Sequence, residues 1–145
     1  MPSITQINVA NEFVFLDHTA DLRFRAEAKS LGDALITASR GLTSEILGEV
    51  TLKPNSRRVF KYEYDSHKQL VHDFLSDVLF YAQFEDYVPT EYKIKIKPER
   101  KHMKAETYGA RHLPPIKNEI KAVTYHQMVV EEKNGFWIIE AVCDI

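Results

Sequence analysis

Apolar positions along the chain recur at two periods, and the alternation between those periods divides it into elements. Phe13, Val14, Phe15 and Leu16 form a short apolar run. After a polar gap, Leu22, Phe24, Ala26 and Ala28 alternate with Arg23, Arg25, Glu27 and Lys29, the pattern of a strand with one buried face. The period then lengthens. Ser30 followed three residues later by Asp33 predicts a helix start, and Leu31, Ala34, Leu35, Ala38, Leu42 and Ile46 lie on one helical face up to Gly48. Residues 57–64 return to a strand pattern rich in aromatics. A second helix is predicted from Ser66, with Gln69 in the capping-box position and Leu70, Val71, Phe74, Leu75, Val78, Leu79 and Ala82 as a wide apolar stripe. Tyr92, Ile94 and Ile96 alternate with Lys93, Lys95 and Lys97, which predicts a strand with a lysine face, of the kind that guards a sheet edge. A short strand over 104–108, a proline-containing loop over 109–118, a long strand over 120–131 that reads as central, an Asn134-Gly135 turn and a last strand over 136–143 complete the chain.

Two helices among strands, with consecutive strands toward the C-terminus, imply an α+β fold: a two-layer α/β sandwich with a mostly antiparallel sheet and two main helices. The length of 145 residues and an apolar fraction of 44% fit one domain over 1–145, with residues 1–11 expected to be a short tail. Nineteen basic and 21 acidic residues leave a net charge of −2, so bulk attraction to nucleic acid is not expected. No apolar run reaches the roughly 20 residues of a membrane span, and the N-terminus lacks a signal-peptide pattern. The single cysteine, Cys143, has no disulfide partner and is expected in the core, and a cytoplasmic, non-membrane setting is expected.

The candidate chemistry lies at two places. Asp17, His18, Thr19, Ala20 and Asp21 put two carboxylates, an imidazole and a hydroxyl between two strands. Hard oxygen donors of this kind suit Mg²⁺, Ca²⁺ or Mn²⁺, although Asp17 and Thr19 equally suit a hydrogen-bonded turn. At the other end an apolar strand runs into Asp144 and Ile145. If that strand pairs beside the strand leading into the Asp17 loop, several anionic oxygens converge, and a cation relieves their repulsion. Lys121, on a strand read as central, needs a carboxylate partner or must snorkel from the strand end. His126 reads as a core histidine. No glycine-rich phosphate loop is present, and no Ser-His-Asp or Cys-His arrangement can be assembled.

The Asp17–Asp21 loop, the stretch Lys121, Ala122, Val123, Thr124, Tyr125, His126 and the terminal Asp144 and Ile145 together resemble the archease family. This resemblance implies a protein cofactor and not an enzyme. Its partner would be the GTP-dependent tRNA-splicing RNA ligase, with RNA engaged only indirectly through that ligase. Its role would be to promote guanylylation of the ligase histidine and multiple turnover. It also implies a divalent metal ion, calcium first with magnesium and manganese as alternatives, held by Asp21, Asp144 and Ile145, with Asp17 and Lys121 at positions beside them. Gln127 departs from the family pattern, which often has glycine there, and Cys143 stands where an aliphatic residue is usual. Two other classes fit the residues. One is a stand-alone metal-dependent phosphoester hydrolase using Asp17, Asp21 and Asp144, and the other is a general chaperone or adaptor without a metal role.

Overall fold

The computed structural model describes residues 5–8, 11–16 and 21–145, with the backbone alone for 5–8. Its elements run β1 (Thr5–Asn8), β2 (Asn11–Leu16), β3 (Leu22–Ala28), α1 (Leu31–Leu47), β4 (Ser56–Glu63), α2 (His67–Phe84), β5 (Val88–Lys97), β6 (His102–Ala110), β7 (Ala122–Lys133) and β8 (Phe136–Asp144). This is the expected α+β fold with two helices and antiparallel strands. The strands divide between two sheets, one ordered β1-β2-β3-β8-β7 and the other β4-β6-β5. The reading of residues 1–11 as a tail is corrected in part, because Thr5–Asn8 pairs antiparallel with β2. An edge strand is held by backbone hydrogen bonds and needs no strong apolar alternation, which is why the pattern did not mark it.

Both helices start where the side chains predict. Ser30 Oγ accepts from Asp33 N–H at 3.0 Å and Ser66 Oγ accepts from Gln69 N–H at 3.1 Å. The Gln69 side chain reaches back to the N–H of Asp65, one residue ahead of the usual capping-box target. Gly48, at φ 78°, closes α1 with its N–H on the Ser44 carbonyl, a left-handed position that glycine occupies without penalty.

The helices bury one face of each sheet. Phe24, Ala26 and Ala28 of β3, Leu35, Leu42 and Ile46 of α1, and Leu70, Phe74 and Leu75 of α2 share a core with Met103 and Ala105 of β6. Hydrogen bonds tie α1 and α2 to the smaller sheet, through Ser39 with the Tyr92 hydroxyl at 2.6 Å and through Tyr62 to Asp77. Burial, then the hydrogen bond to Asp77, pushes the Tyr62 phenol well above its ordinary range. Tyr87 is fully buried, and its hydroxyl meets Thr107 Oγ1 at 2.6 Å, which in turn donates to the Arg58 carbonyl at 2.7 Å. Replacing Thr107 with Val keeps the shape and strands the phenol, so it is expected to cost about 2 kcal/mol in urea unfolding. An unchanged midpoint would show that the chain carries no weight.

Two expectations about β7 are corrected. It lies at the edge of the five-stranded sheet, not in its centre, and its apolar positions pack on β8 and α2 while Glu131, Glu132 and Lys133 run out to solvent. The predicted face of Ile120, Ala122, Thr124 and His126 also breaks, because the pairing with β8 shifts register between Thr124 and Val129. The extra residues turn Tyr125, His126 and Gln127 outward and return Met128 to the core, so His126 is exposed and not a core histidine. Gln127 has φ 53°. That left-handed conformation is one that glycine adopts without penalty and a side chain such as glutamine does not. Gln127→Gly is therefore expected to stabilise the fold by about 1 kcal/mol, read as a higher denaturation midpoint.

Candidate functional site: the open end of the larger sheet

The end of the larger sheet gathers the predicted residues through strand register. β8 lies between β3 and β7, with Leu22 across from Cys143 on one side and Ala122 across from Asp144 on the other. Asp21, one residue ahead of β3, and Asp144 each adjoin the Leu22–Cys143 pair, so continuing that register sets the two acids across from one another. The Lys121 N–H donates to the Asp144 carbonyl at 2.8 Å, which extends the β7 pairing by one residue. Asp21, Lys121, Asp144 and Ile145 thus lie at one sheet end, although Asp21 is a hundred residues or more from the other three in sequence. The expected neighbour of the last strand was the one entering the Asp17 loop. It is instead β3, the strand leaving that loop. Asp17 itself lies outside the described residues, as do His18, Thr19 and Ala20.

Strand alternation separates the site from the core. Cys143, paired with Leu22 on one side and Val123 on the other, is buried with them, whereas Asp144, the next residue along β8, is exposed on the other side of the pleat. Cys143 is a packed core thiol, as its position suggested. Burial, then the neighbouring Asp144 carboxylate, pushes it up to about 12, which leaves it protonated and unreactive. Ile145 is half-exposed at 50%. Lys121 is exposed just ahead of β7 and is not a buried lysine on a central strand. Neither Asp21 nor Asp144 forms an ion pair among the described residues, and Lys121 forms none either. Among the described residues no three His, Cys, Asp or Glu side chains are grouped closely enough to hold a metal ion. The described part of the site therefore offers two carboxylate side chains, with the exposed Ile145 beside them.

One positioning residue was not visible in the sequence pattern. Gln83, in the last turn of α2, accepts from the Ile120 N–H at 2.8 Å and donates to the Ile120 carbonyl at 2.9 Å. Its amide imitates a strand partner and holds the backbone immediately before Lys121. Asn118 anchors the same loop from the other side by donating to the Glu45 carbonyl, and the N–H groups of Lys117 and Asn118 reach the Ile46 carbonyl, so the loop caps the end of α1. A glutamine near the end of an amphipathic helix carries no sequence signal for such a role.

A half-buried Asp21 and an exposed Asp144 at the open end of a sheet, in an α+β fold of two helices and antiparallel strands, define a protein whose acids lie at its surface. The comparisons with known proteins give this class its family. The archease protein family (MTH1598/TM1083) matches residues 13–145. Protein archease of Methanopyrus kandleri is 31% identical over 137 residues, covering 90% of this chain and 96% of the relative. Protein archease of Pyrococcus abyssi is 30% identical, covering 89% and 95%. The chain belongs to the archease family. Its fold matches the solution structure of protein 1598 of Methanobacterium thermoautotrophicum, with a TM-score of 0.77 at 23% identity, over 92% of this chain and 98% of that one. It also matches the crystal structure of an archease, "possible chaperone", of Thermotoga maritima, with a TM-score of 0.64 at 22% identity, over 90% and 94%. No helix among the described residues is long and apolar enough to cross a membrane.

Proposed function

We propose that this chain activates a GTP-dependent RNA-splicing ligase by promoting guanylylation of the ligase's histidine and so allowing repeated turnover. In this reading Asp21, Asp144 and Ile145 hold a divalent cation, with Lys121 and Asp17 beside them. The single observation that carries it is the register that sets Asp21 across from Asp144 at an exposed sheet end. The donor chemistry suits a hard cation. Carboxylate oxygens are the ligands that calcium, magnesium and manganese prefer, and two such groups with no ion-pair partner among the described residues repel each other unless a cation neutralises them. When bound, the cation would supply positive charge toward a nucleotide's phosphates.

The chain's own residues do the positioning. Backbone pairing on both sides of Asp144 fixes where its carboxylate starts, and the Gln83 amide fixes Ile120 and hence Lys121. Lys121 then offers a mobile positive charge next to the carboxylates, suited to a triphosphate brought by the partner. Half-exposure of Ile145 suits insertion into a cavity of the ligase and not enclosure of a substrate. The test is multiple-turnover RNA joining by the ligase with and without this protein at limiting GTP. Stimulation is expected, and its absence with active ligase overturns the reading. Phosphoester hydrolysis by the isolated protein would instead favour the stand-alone hydrolase.

Gln83→Ala provides a separate check on positioning. It is expected to destabilise the fold by about 1–2 kcal/mol, since two part-buried backbone groups lose their partner, and to weaken activation at a temperature where the protein remains folded. Full activation by that variant would show that the Ile120 clamp does not matter to the site.

A further inference from the structure

The outer face of the smaller sheet carries a block of positive charge that the proposed ligase-activating site does not use. The sequence assigns the lysines of β5 to edge protection, but the topology places β6 in the middle of that sheet, and Lys104 of β6 points the same way. Register makes the block continuous: Lys61 of β4 is directly across from Lys104, and Lys104 is directly across from Lys95 of β5. Neighbouring strands are about 4.8 Å apart, so three ammonium stems stand side by side across the whole sheet. Like charges directly opposite one another destabilise a sheet, and a lysine on a central strand protects no edge. Lys97 and Lys93 flank this row along β5, each about 6.7 Å from Lys95 in the strand direction.

The carboxylates on this face, Glu63, Glu91 across from Tyr108, and Glu106, do not cancel the block formed by Arg57, Lys61, Lys93, Lys95, Lys97 and Lys104. Glu106 is engaged by Arg57 and Lys104, each at 3.4 Å, and Lys104 first, with Lys93 and Arg57, holds its carboxyl below the usual range. Glu63 meets the His102 ring at 3.0 Å. Lys61, Lys95 and Lys97 form no ion pair among the described residues. In a chain of net charge −2 this face is therefore locally positive. At the other end of the same face Tyr108 is 51% exposed, with the Arg57 guanidinium 6.0 Å from its ring centre. Cationic side chains tracking a backbone beside an exposed aromatic platform are the two components of a single-strand nucleic-acid surface.

We propose that the outer face of the β4-β6-β5 sheet binds single-stranded RNA, with Lys61, Lys104, Lys95 and Lys97 on the phosphates and Tyr108 stacking on a base. The choice of RNA over other polyanions rests on the ligase reading, whereas the binding surface rests on charge and register alone. It makes the expected indirect engagement of RNA a direct one, through a sheet separate from the carboxylate site.

The test uses the isolated protein and a fluorescein-labelled 20-residue oligouridylate, followed by anisotropy from 20 to 200 mM salt, so ligase activation does not enter it. Binding is expected to weaken with salt at a log–log slope of about −2 to −3, for three or four phosphates neutralised. Lys61→Gln/Lys95→Gln changes only the edge strands, removes charge repulsion and should melt no lower than wild type. It is expected to lose at least tenfold in affinity and to flatten the slope by about 1.4. Tyr108→Ala should weaken binding while leaving the slope unchanged. Absence of binding at 20 mM salt, equal affinity in the double variant, or tighter binding of duplex RNA or of a polyglutamate peptide each overturns the proposal.

Discussion

Asp144→Asn is expected to abolish activation of the ligase while leaving the protein as stable as wild type. The two effects separate because different parts of the residue carry them. The Asp144 backbone is paired with Lys121 and Ala122, and asparagine keeps those bonds. The side chain is exposed and forms no ion pair among the described residues, so its neutralisation removes no packed contact. Loss of repulsion toward Asp21 makes the variant neutral to slightly stabilising, within about 0.5 kcal/mol in thermal melts. What asparagine cannot supply is the second anionic oxygen, and the affinity for a divalent cation should fall with it. Asp21→Asn is expected to behave in the same way, whereas Lys121→Ala should impair activation more than cation binding. Calorimetric titration with calcium and manganese, run beside guanylylation of the ligase at limiting GTP, reads both quantities. Full activation by Asp144→Asn would remove the carboxylate pair from the mechanism, and a simple adaptor would show that result.

The second large effect concerns the fold alone. Gly109 sits on the central strand of the smaller sheet, where β5 bends against it between Pro89 and Glu91. A Cβ at that position would stand 2.3 Å from the Val88 carbonyl oxygen, 2.8 Å from the Tyr87 ring and 2.9 Å from the Pro89 Cα. Two of these neighbours are backbone, and the third is a fully buried ring held by Thr107, so none can swing aside. Gly109→Ala must therefore push β5 away from β6 or displace Tyr87 from its hydrogen bond. Overpacking and a stranded phenol together should cost about 3 kcal/mol or more, lowering the melting temperature by on the order of 10 °C. The check is urea unfolding followed by circular dichroism, and a midpoint equal to wild type would show that the close approach is relieved at no cost. Because the carboxylate site lies on the other sheet, the variant is expected to activate the ligase normally at temperatures where it stays folded.

Local chemistry was legible wherever it depended on residues close in sequence. Ser30 and Ser66 marked both helix starts, because a side-chain oxygen three residues ahead of an N–H is a local device. The alternation of Tyr92, Ile94 and Ile96 with lysines set the inner and outer faces of β5, and Cys143 lies in the core as its apolar neighbours implied. Asp21 and Asp144 could be named as candidates in advance, and the pairing of β3 with β8 brings them to the same end of the sheet. Where the pattern misled, a non-local pairing was the cause. Period-two alternation in β7 predicted a buried His126, but the register shift against β8 reversed the faces after Thr124, and nothing in β7 itself encodes a bulge whose partner lies beyond a hairpin.

The sequence by itself determined the types of the elements after β1, the buried face of each helix and of β3 and β5, and which acids and lysine were available for chemistry. These follow from periodicity and from the intrinsic hydrogen bonding of each side chain, which act over a few residues. Only the tertiary structure decided that the strands form two sheets, that β8 joins β3 and so puts Asp21 across from Asp144, and that Lys61, Lys104 and Lys95 form one row. Strand order is a contest between pairings of nearly equal backbone energy, won by whichever arrangement buries the helices best, and that sum runs over the whole core.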